Sequence, residues 1–163
     1  MKTLVLYASK YGTAKSLAET IAAKMPGEAT ALPIGKQIID LGAVDTVILG
    51  TSVYMGKPRK EMKVFVRENL PVLLQRKIGL FLSCLLDEDS SVTTQFQNAF
   101  PKELRDHADC LAALGGAVDR ERLNKLEGFI MRMVAARLPN DGRVISNVAE
   151  ERIDQLVEKM TFK

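Results

Sequence analysis

Leu4-Val5-Leu6-Tyr7-Ala8-Ser9-Lys10-Tyr11-Gly12-Thr13-Ala14 is the stretch that decides the fold. Its first five residues form a nearly uninterrupted apolar run, which is how a strand buried on both faces of a parallel sheet reads. After Thr13, the residues Leu17, Ile21 and Met25 recur at a spacing of four, the stripe of an amphipathic helix. The loop Ser9-Lys10-Tyr11-Gly12-Thr13-Ala14 therefore joins a strand directly to a helix N-terminus. Small hydroxyl residues and a glycine let backbone N–H groups turn inward around an anion, and the helix dipole favours a phosphate there. The GxxxxGK(S/T) pattern of a P-loop is absent, and so is GxGxxG. The same residues also suit an ordinary β-to-α turn with a threonine cap. The loop alone does not choose between the two.

Working outward, the same alternation continues. Thr46-Val47-Ile48-Leu49-Gly50, Ile78-Gly79-Leu80-Phe81-Leu82-Ser83 and Cys110-Leu111-Ala112-Ala113-Leu114-Gly115 are further apolar runs, and a weaker strand over 28–32 suits a sheet edge. Between them lie helical stripes. Met62, Phe65, Val66 and Leu70 follow Pro58, a residue suited to a first helical turn. Val92, Phe96 and Phe100 form another, and Val148, Ile153, Leu156, Val157 and Met160 the last, with Asn147 read as its N-cap and Glu150 three residues on. The order βαβαβαβαβα predicts an α/β domain over residues 1–163, a doubly wound parallel sheet with helices on both faces. One segment, 116–146, exceeds a minimal five-strand design. It carries Leu123, Leu126, Ile130, Met133 and Val134, flanked by Arg120, Arg122, Lys125, Arg132 and Arg137. This predicts an added helix over 120–138, ended by Pro139-Asn140-Asp141-Gly142. Its stripe either packs on its own sheet, lies on a membrane surface, meets a quinone or porphyrin, or forms a dimer contact.

Composition narrows the function. With 163 residues, 47% hydrophobic and 26% charged, the chain has the balance of a soluble globular protein. No apolar stretch is long enough for a transmembrane helix. Met1-Lys2-Thr3-Leu4-Val5-Leu6 is read as a strand rather than a signal peptide, so the cytoplasm is the expected location. A net charge of +3, with acids and bases interspersed, does not make a nucleic-acid stripe. Cys84 and Cys110 are not a CxxC pair. They fall at opposite ends of neighbouring strands, roughly 15 Å or more apart at about 3.3 Å per residue, so they are read as buried thiols. The only histidine, His107, precedes the last strand at the amino-end face and is read as a surface residue. No metal site is expected.

Ligands of open parallel sheets bind outside the carboxyl ends of the strands. Two more loops lie there. Gly50-Thr51-Ser52-Val53-Tyr54-Met55-Gly56-Lys57-Pro58 is long for a connector; Tyr54 offers a flat ring, Met55 a polarizable neighbour and Gly56 unusual backbone freedom. Alternatively, Tyr54 only packs in a surface groove. In Ser83-Cys84-Leu85-Leu86-Asp87-Glu88-Asp89-Ser90-Ser91 the acidic run suits a helix cap, so a ligand role falls to backbone groups near 83–86. Ser83 either touches a ligand edge or only ends its strand, and Tyr11 either covers the phosphate or faces solvent.

With these loops in place, the chain resembles the flavodoxin family. It resembles most the branch of menaquinone-dependent protoporphyrinogen IX dehydrogenases. The resemblance is carried by Met1-Lys2-Thr3-Leu4, Ser9-x-x-Gly12, Val47-Ile48-Leu49-Gly50-Thr51-Ser52-Val53-x-x-Gly56, Phe65-Val66, Ala113-Leu114-Gly115-Gly116-Ala117 and Phe129-Ile130-Met131. It implies a flavodoxin-like five-stranded sheet of order 2-1-3-4-5 with an extra helix before the last. It implies FMN as cofactor, with the phosphate on Ser9, Lys10, Tyr11, Gly12, Thr13 and Ala14. The ring would lie between Thr51, Ser52, Val53, Tyr54, Met55, Gly56 and Ser83, Cys84, Leu85, Leu86, Asp87. A hydrogen bond from the Gly56 region to flavin N5 is also implied. No general acid or base is assigned. The implied function is an FMN-dependent oxidoreductase that takes electrons from protoporphyrinogen IX and passes them to a quinone, with peripheral membrane contact. The alternative is an electron carrier that serves a redox partner and has no substrate of its own; a third reading is a flavodoxin fold that binds no flavin. The chain departs from the pattern in three ways. Ala14 stands where a hydroxyl residue is usual, there is no Trp, and the net charge is +3 where carriers are typically acidic.

Overall fold

Alternate residues of a strand point to opposite faces of its sheet, and here both sets are apolar, so the sheet must be covered twice. The computed structural model describes residues 1–35, 37–85, 89–119, 144–146 and 148–162. Its elements are β1 (Lys2–Ala8), α1 (Thr13–Lys24), β2 (Glu28–Pro33), a 3-10 turn (Leu41–Ala43), β3 (Thr46–Tyr54), β4 (Lys57–Pro58), α2 (Lys60–Leu73) and β5 (Lys77–Ser83). They continue with α3 (Asp89–Ala99), α4 (Lys102–His107), β6 (Cys110–Ala113), β7 (Ala117–Asp119), β8 (Val144–Ser146) and α5 (Glu150–Thr161). The main sheet runs β2-β1-β3-β5-β6, every neighbour parallel. Counting only these five strands, the order is the expected 2-1-3-4-5.

The two faces divide cleanly. Leu4, Leu6, Val47, Leu49, Ile78, Leu80 and Leu82 pack beneath Met62 and Val66 of α2, Phe96 and Ala99 of α3, and Leu104 of α4. Val5, Tyr7, Ile48 and Phe81 pack beneath Leu17, Ala18 and Ile21 of α1 and Ile153, Leu156 and Met160 of α5. Each side chain of this size contributes about 1.5–3 kcal/mol on full burial. Phe81 lies directly across from Gly50. A Cβ at position 50 would fall 1.8 Å from the Phe81 ring, so the ring fills the space that the glycine leaves. Between α1 and α5, Lys24 bonds Asp154 at 2.5 Å. That bond, with smaller help from the charges of Asp154 and Glu150, holds the ammonium above its ordinary pKa.

Register sets where the loops emerge. Ala8, Thr51 and Leu82 stand side by side, and Ser52 pairs with Ser83, so the three loops leave one edge of the sheet together. The two cysteines form no disulfide and are buried, and burial pushes the Cys110 thiol up.

Four local features differ from the sequence reading. Pro58 does not open α2. It pairs in β4 with Val53 of β3, and the helix starts at Lys60 behind Arg59. A fixed proline φ suits a strand edge as well as a first helical turn, and only the pairing with β3 decides. The short α4 was not foreseen, because one and a half turns leave no periodic stripe. The last helix is capped by Ala149 without a side-chain bond; Asn147 lies outside the described residues. The fourth is a two-stranded antiparallel sheet, β7 with β8, pairing Ala117 with Ser146 and Asp119 with Val144. The added helix expected over 120–138 lies outside the described residues. Among those described, no helix is long and apolar enough to cross a membrane.

Candidate functional site

The first loop is shaped by backbone geometry. Gly12 has φ +92°, a left-handed conformation that glycine adopts without cost, and nothing lies within 4 Å of where its Cβ would be. Its N–H donates to Ser9 Oγ at 2.9 Å, which closes the turn. Its carbonyl accepts from Ser16 N–H at 3.0 Å, the first bond of α1. The N–H groups at the start of a helix have no partner within it, and the dipole adds partial positive charge. The turn therefore presents N–H groups and partial positive charge at the start of α1, an arrangement that suits an anion. Ala14 is fully buried with Leu17 and Ile21. Its side chain belongs to the core, so only its backbone faces the turn.

The second loop is a tight hairpin. Met55 (φ +51°) and Gly56 (φ +73°) are its two central residues, joining Val53-Tyr54 to Lys57-Pro58. Two consecutive positive φ values match the twist of such hairpins, but Met is costly there. Met55 is also 60% exposed at the tip. Thr51 is wholly buried; its Oγ1 accepts from Arg59 N–H at 3.2 Å and donates to Ser52 C=O. That hydroxyl is committed to holding the hairpin against α2. Arg59 also bonds Glu61 at 3.0 Å. The Glu61 carboxyl is held below the usual range, chiefly by accepting its own backbone N–H at the start of α2 and secondarily by Arg59.

The loops are tied together. Lys10 N–H donates to Ser52 Oγ at 3.0 Å. Tyr11 and Tyr54 meet edge to face with ring centres 6.1 Å apart. Lys10 Nζ lies 3.8 Å from the centre of the Tyr54 ring and 5.1 Å from that of Tyr11. Such distances are those of cation–π contacts. From the third loop, Ser83 and Cys84 are buried and Cys84 N–H donates to Gly115 C=O at 3.1 Å. A Cβ at Gly116 would come 3.0 Å from the Cys84 backbone, so this glycine permits a close crossing of two loops. Thr13 Oγ1 donates to Ala117 C=O at 2.6 Å, which fastens α1 to the base of β7.

These ties leave a cleft at the carboxyl edge. It is lined by Lys10, Tyr11 and Thr13, by Ser52, Val53 and Tyr54, and by Ser83, Cys84 and Leu85. All three loops read from the sequence thus meet there. Ser9 and Gly12 shape the first loop from behind, Thr51 is sealed beneath, and Met55 and Gly56 stand at the hairpin tip. Leu86 and Asp87 lie outside the described residues. Gly116 and Ala117 complete the lining and were not among the expected contacts; the Gly115-Gly116 pair was the signal that the chain turns there. His107 is remote, its Nε2 2.9 Å from Arg76 C=O. Among the described residues no cluster of His, Cys, Asp or Glu is arranged to hold a metal.

The described site offers a helix N-terminus, aromatic faces and a buried serine, and no acid–base pair. Comparison with known proteins agrees with the fold. A family profile described as Flavodoxin domain matches residues 4–141. The fold is similar to that of a short-chain flavodoxin associated with a PDU bacterial microcompartment (TM-score 0.59, 15% identity, covering 98% of this chain and 97% of that one). It is also similar to flavodoxin 2 from Bacillus cereus (TM-score 0.53, 20% identity, 85% and 100%). A third is a WrbA-like flavodoxin protein from Agrobacterium tumefaciens (TM-score 0.53, 23% identity, 70% and 81%). No curated protein matches the chain.

Proposed function

The chain belongs to the flavodoxin domain family, and from that premise we propose that it is an FMN-binding redox protein. One observation carries the proposal: the loop that Ser9 and Gly12 close, running into the N-terminus of α1, meets the Tyr54 ring in one cleft through Lys10, Tyr11 and Thr13. A phosphorylated planar ligand needs both. The residues fit such a group. Gly12 keeps the turn open, the first N–H groups of α1 and the Thr13 backbone would hold the phosphate, and Ser52 and Ser83 would offer polar contacts beside the aromatic wall. Ala14 does not weaken this reading, since its methyl is needed in the core.

Bound FMN supplies the electron chemistry. The chain's own residues bind and orient it. The tie between Lys10 and Ser52 fixes the spacing of the phosphate and ring loops, and Gly116 brings the third loop close. Met55 and Gly56 at the hairpin tip place backbone groups near the ring edge in this reading. The test is calorimetric titration with FMN and with riboflavin. The proposal expects one FMN per chain and much weaker riboflavin, because the first loop recognises the phosphate. Equal binding of both would remove the role of the first loop.

A finer reading makes the chain an enzyme that oxidises protoporphyrinogen IX and passes the electrons to a quinone. It is supported by the sequence resemblance and by β7, whose Ala117 lines the cleft and accepts from Thr13. An anaerobic assay with protoporphyrinogen and a quinone tests it, with deletion of 120–138 as control. Turnover lost on deletion supports it; no turnover leaves the carrier role, in which a redox partner takes the electrons.

A further inference from the structure

The exposed face of α2 is divided by charge. Lys63 and Arg67 stand one turn apart on one side, with Val64 between them 41% exposed to solvent. The carboxylates of the helix stand elsewhere. At 3.6 residues per turn, Glu68 is turned about 100° from Arg67 and about 140° from Lys63. Glu61 is bonded to Arg59, and the charge of Lys60 acts on the same carboxyl. Among the described residues, no carboxylate pairs with Lys63 or Arg67. Beside these two cations runs a groove of about 380 Å³ between α2 and the end of α3. The buried Val66 and Phe100 and the half-buried Leu70 form its floor. Lys63 and Arg67 rim one side, and Gln97 and Asn98, both exposed, rim the other. No described carboxylate lines it.

We propose that this groove is a docking site for an acidic amphipathic helix of a partner protein. It does not depend on FMN in the cleft, which shares no lining residue with the groove. A helix laid between two helices sets apolar side chains, at spacings of three and four, onto the floor. Carboxylates on its flank then meet Lys63 and Arg67, and the amides opposite offer hydrogen bonds without a charge of their own. An apolar floor alone suits any hydrophobic segment. The two cations select against a basic one by like-charge repulsion. A nucleic-acid backbone fits less well, because its affinity comes from many phosphate contacts and it has no use for an apolar floor. A membrane surface takes in protruding apolar faces, and here the apolar floor is recessed between helices.

The experiment uses a fluorescent helical peptide of about 18 residues, with Leu at spacings of three and four, Glu beside the Leu stripe and Ala elsewhere. Two further peptides carry Gln or Lys in place of Glu. Anisotropy gives the affinity, and amide NMR shifts give the place. The acidic peptide should bind with shifts confined to α2 and the end of α3. The Gln peptide should bind at least about fivefold more weakly, and the Lys peptide more weakly still. Lys63→Glu combined with Arg67→Glu should lose about tenfold or more, the size of two reversed, partly screened contacts. Added salt should weaken the wild type. Lys159→Glu, on α5 at the opposite face of the sheet, should change affinity less than about twofold. Circular dichroism checks that each variant is folded, and Val64→Asp, a single exposed change, should also weaken binding. Equal binding of the three peptides, wild-type affinity in the folded double variant, or shifts elsewhere on the molecule would each overturn the proposal. No binding of the acidic peptide would overturn it too. If duplex DNA or phosphatidylglycerol vesicles bound in its place, and the double variant lost them, the surface would belong to phosphates instead.

Discussion

Gly50 in the middle of the sheet and Gly12 at its carboxyl edge are both glycines that the fold requires, for opposite reasons. At position 50 there is no room, because the Phe81 ring occupies the place of a side chain. At position 12 there is room in every direction, but the backbone takes a left-handed turn. The centre of the molecule is fixed by volume. Its carboxyl edge is fixed by φ angles and a few hydrogen bonds, which leaves space for something else to enter. Close packing resists change, and the loops are where a site can be built without disturbing it.

Substitutions can break or sharpen that contrast. Phe81→Ala should have the largest effect, destabilising by about 3–5 kcal/mol in a urea unfolding curve, because it opens a cavity at the sheet centre. Gly50→Ala should cost about 1–3 kcal/mol through overpacking against the same ring. The two changes should be far from additive, since each relieves part of the other's strain. Gly12→Ala should cost only about 1–2 kcal/mol of backbone strain, but it should weaken FMN binding, whereas folded Gly50→Ala should bind FMN normally. If Gly12→Ala were as destabilising as Gly50→Ala, the loop would be packed rather than open. Met55→Gly should raise the unfolding free energy by about 0.5 kcal/mol, since it removes a strained φ from an exposed residue.

The smallest effect concerns pH. Glu61 has its folded pKa lowered, so its contribution is present above the ordinary carboxylate pKa and is lost as pH falls through the depressed value. Its side chain is half exposed, so Glu61→Gln should cost no more than about 0.5 kcal/mol at pH 7. The difference from wild type should vanish in acid when melting temperatures are compared.

The same contrast explains what the sequence disclosed. Leu4-Val5-Leu6, Val47-Ile48-Leu49 and Leu80-Phe81-Leu82 are apolar on both faces, so five parallel strands and their two helical layers were legible from periodicity alone. The strand order was not; it came with the resemblance. The three carboxyl-edge loops were legible as loops, and the structure brings them to one cleft. What escaped notice depends on contacts that only the folded chain reveals. Pro58 looks like a helix start until Val53 pairs with it. Thr51 looks like a ligand contact until Arg59 is seen to use its hydroxyl. Ala14 looks like a missing hydroxyl until its methyl is found against Leu17 and Ile21. Lys10 over Tyr54 joins side chains 44 positions apart, which no local pattern encodes.

The central claim is that the open edge holds FMN, and it has a direct measurement. The purified chain is mixed with FMN, the excess is removed on a desalting column, and the visible spectrum and fluorescence are recorded. The account predicts a yellow protein with one FMN per chain and quenched flavin fluorescence. A colourless protein that leaves FMN fluorescence unchanged would contradict it.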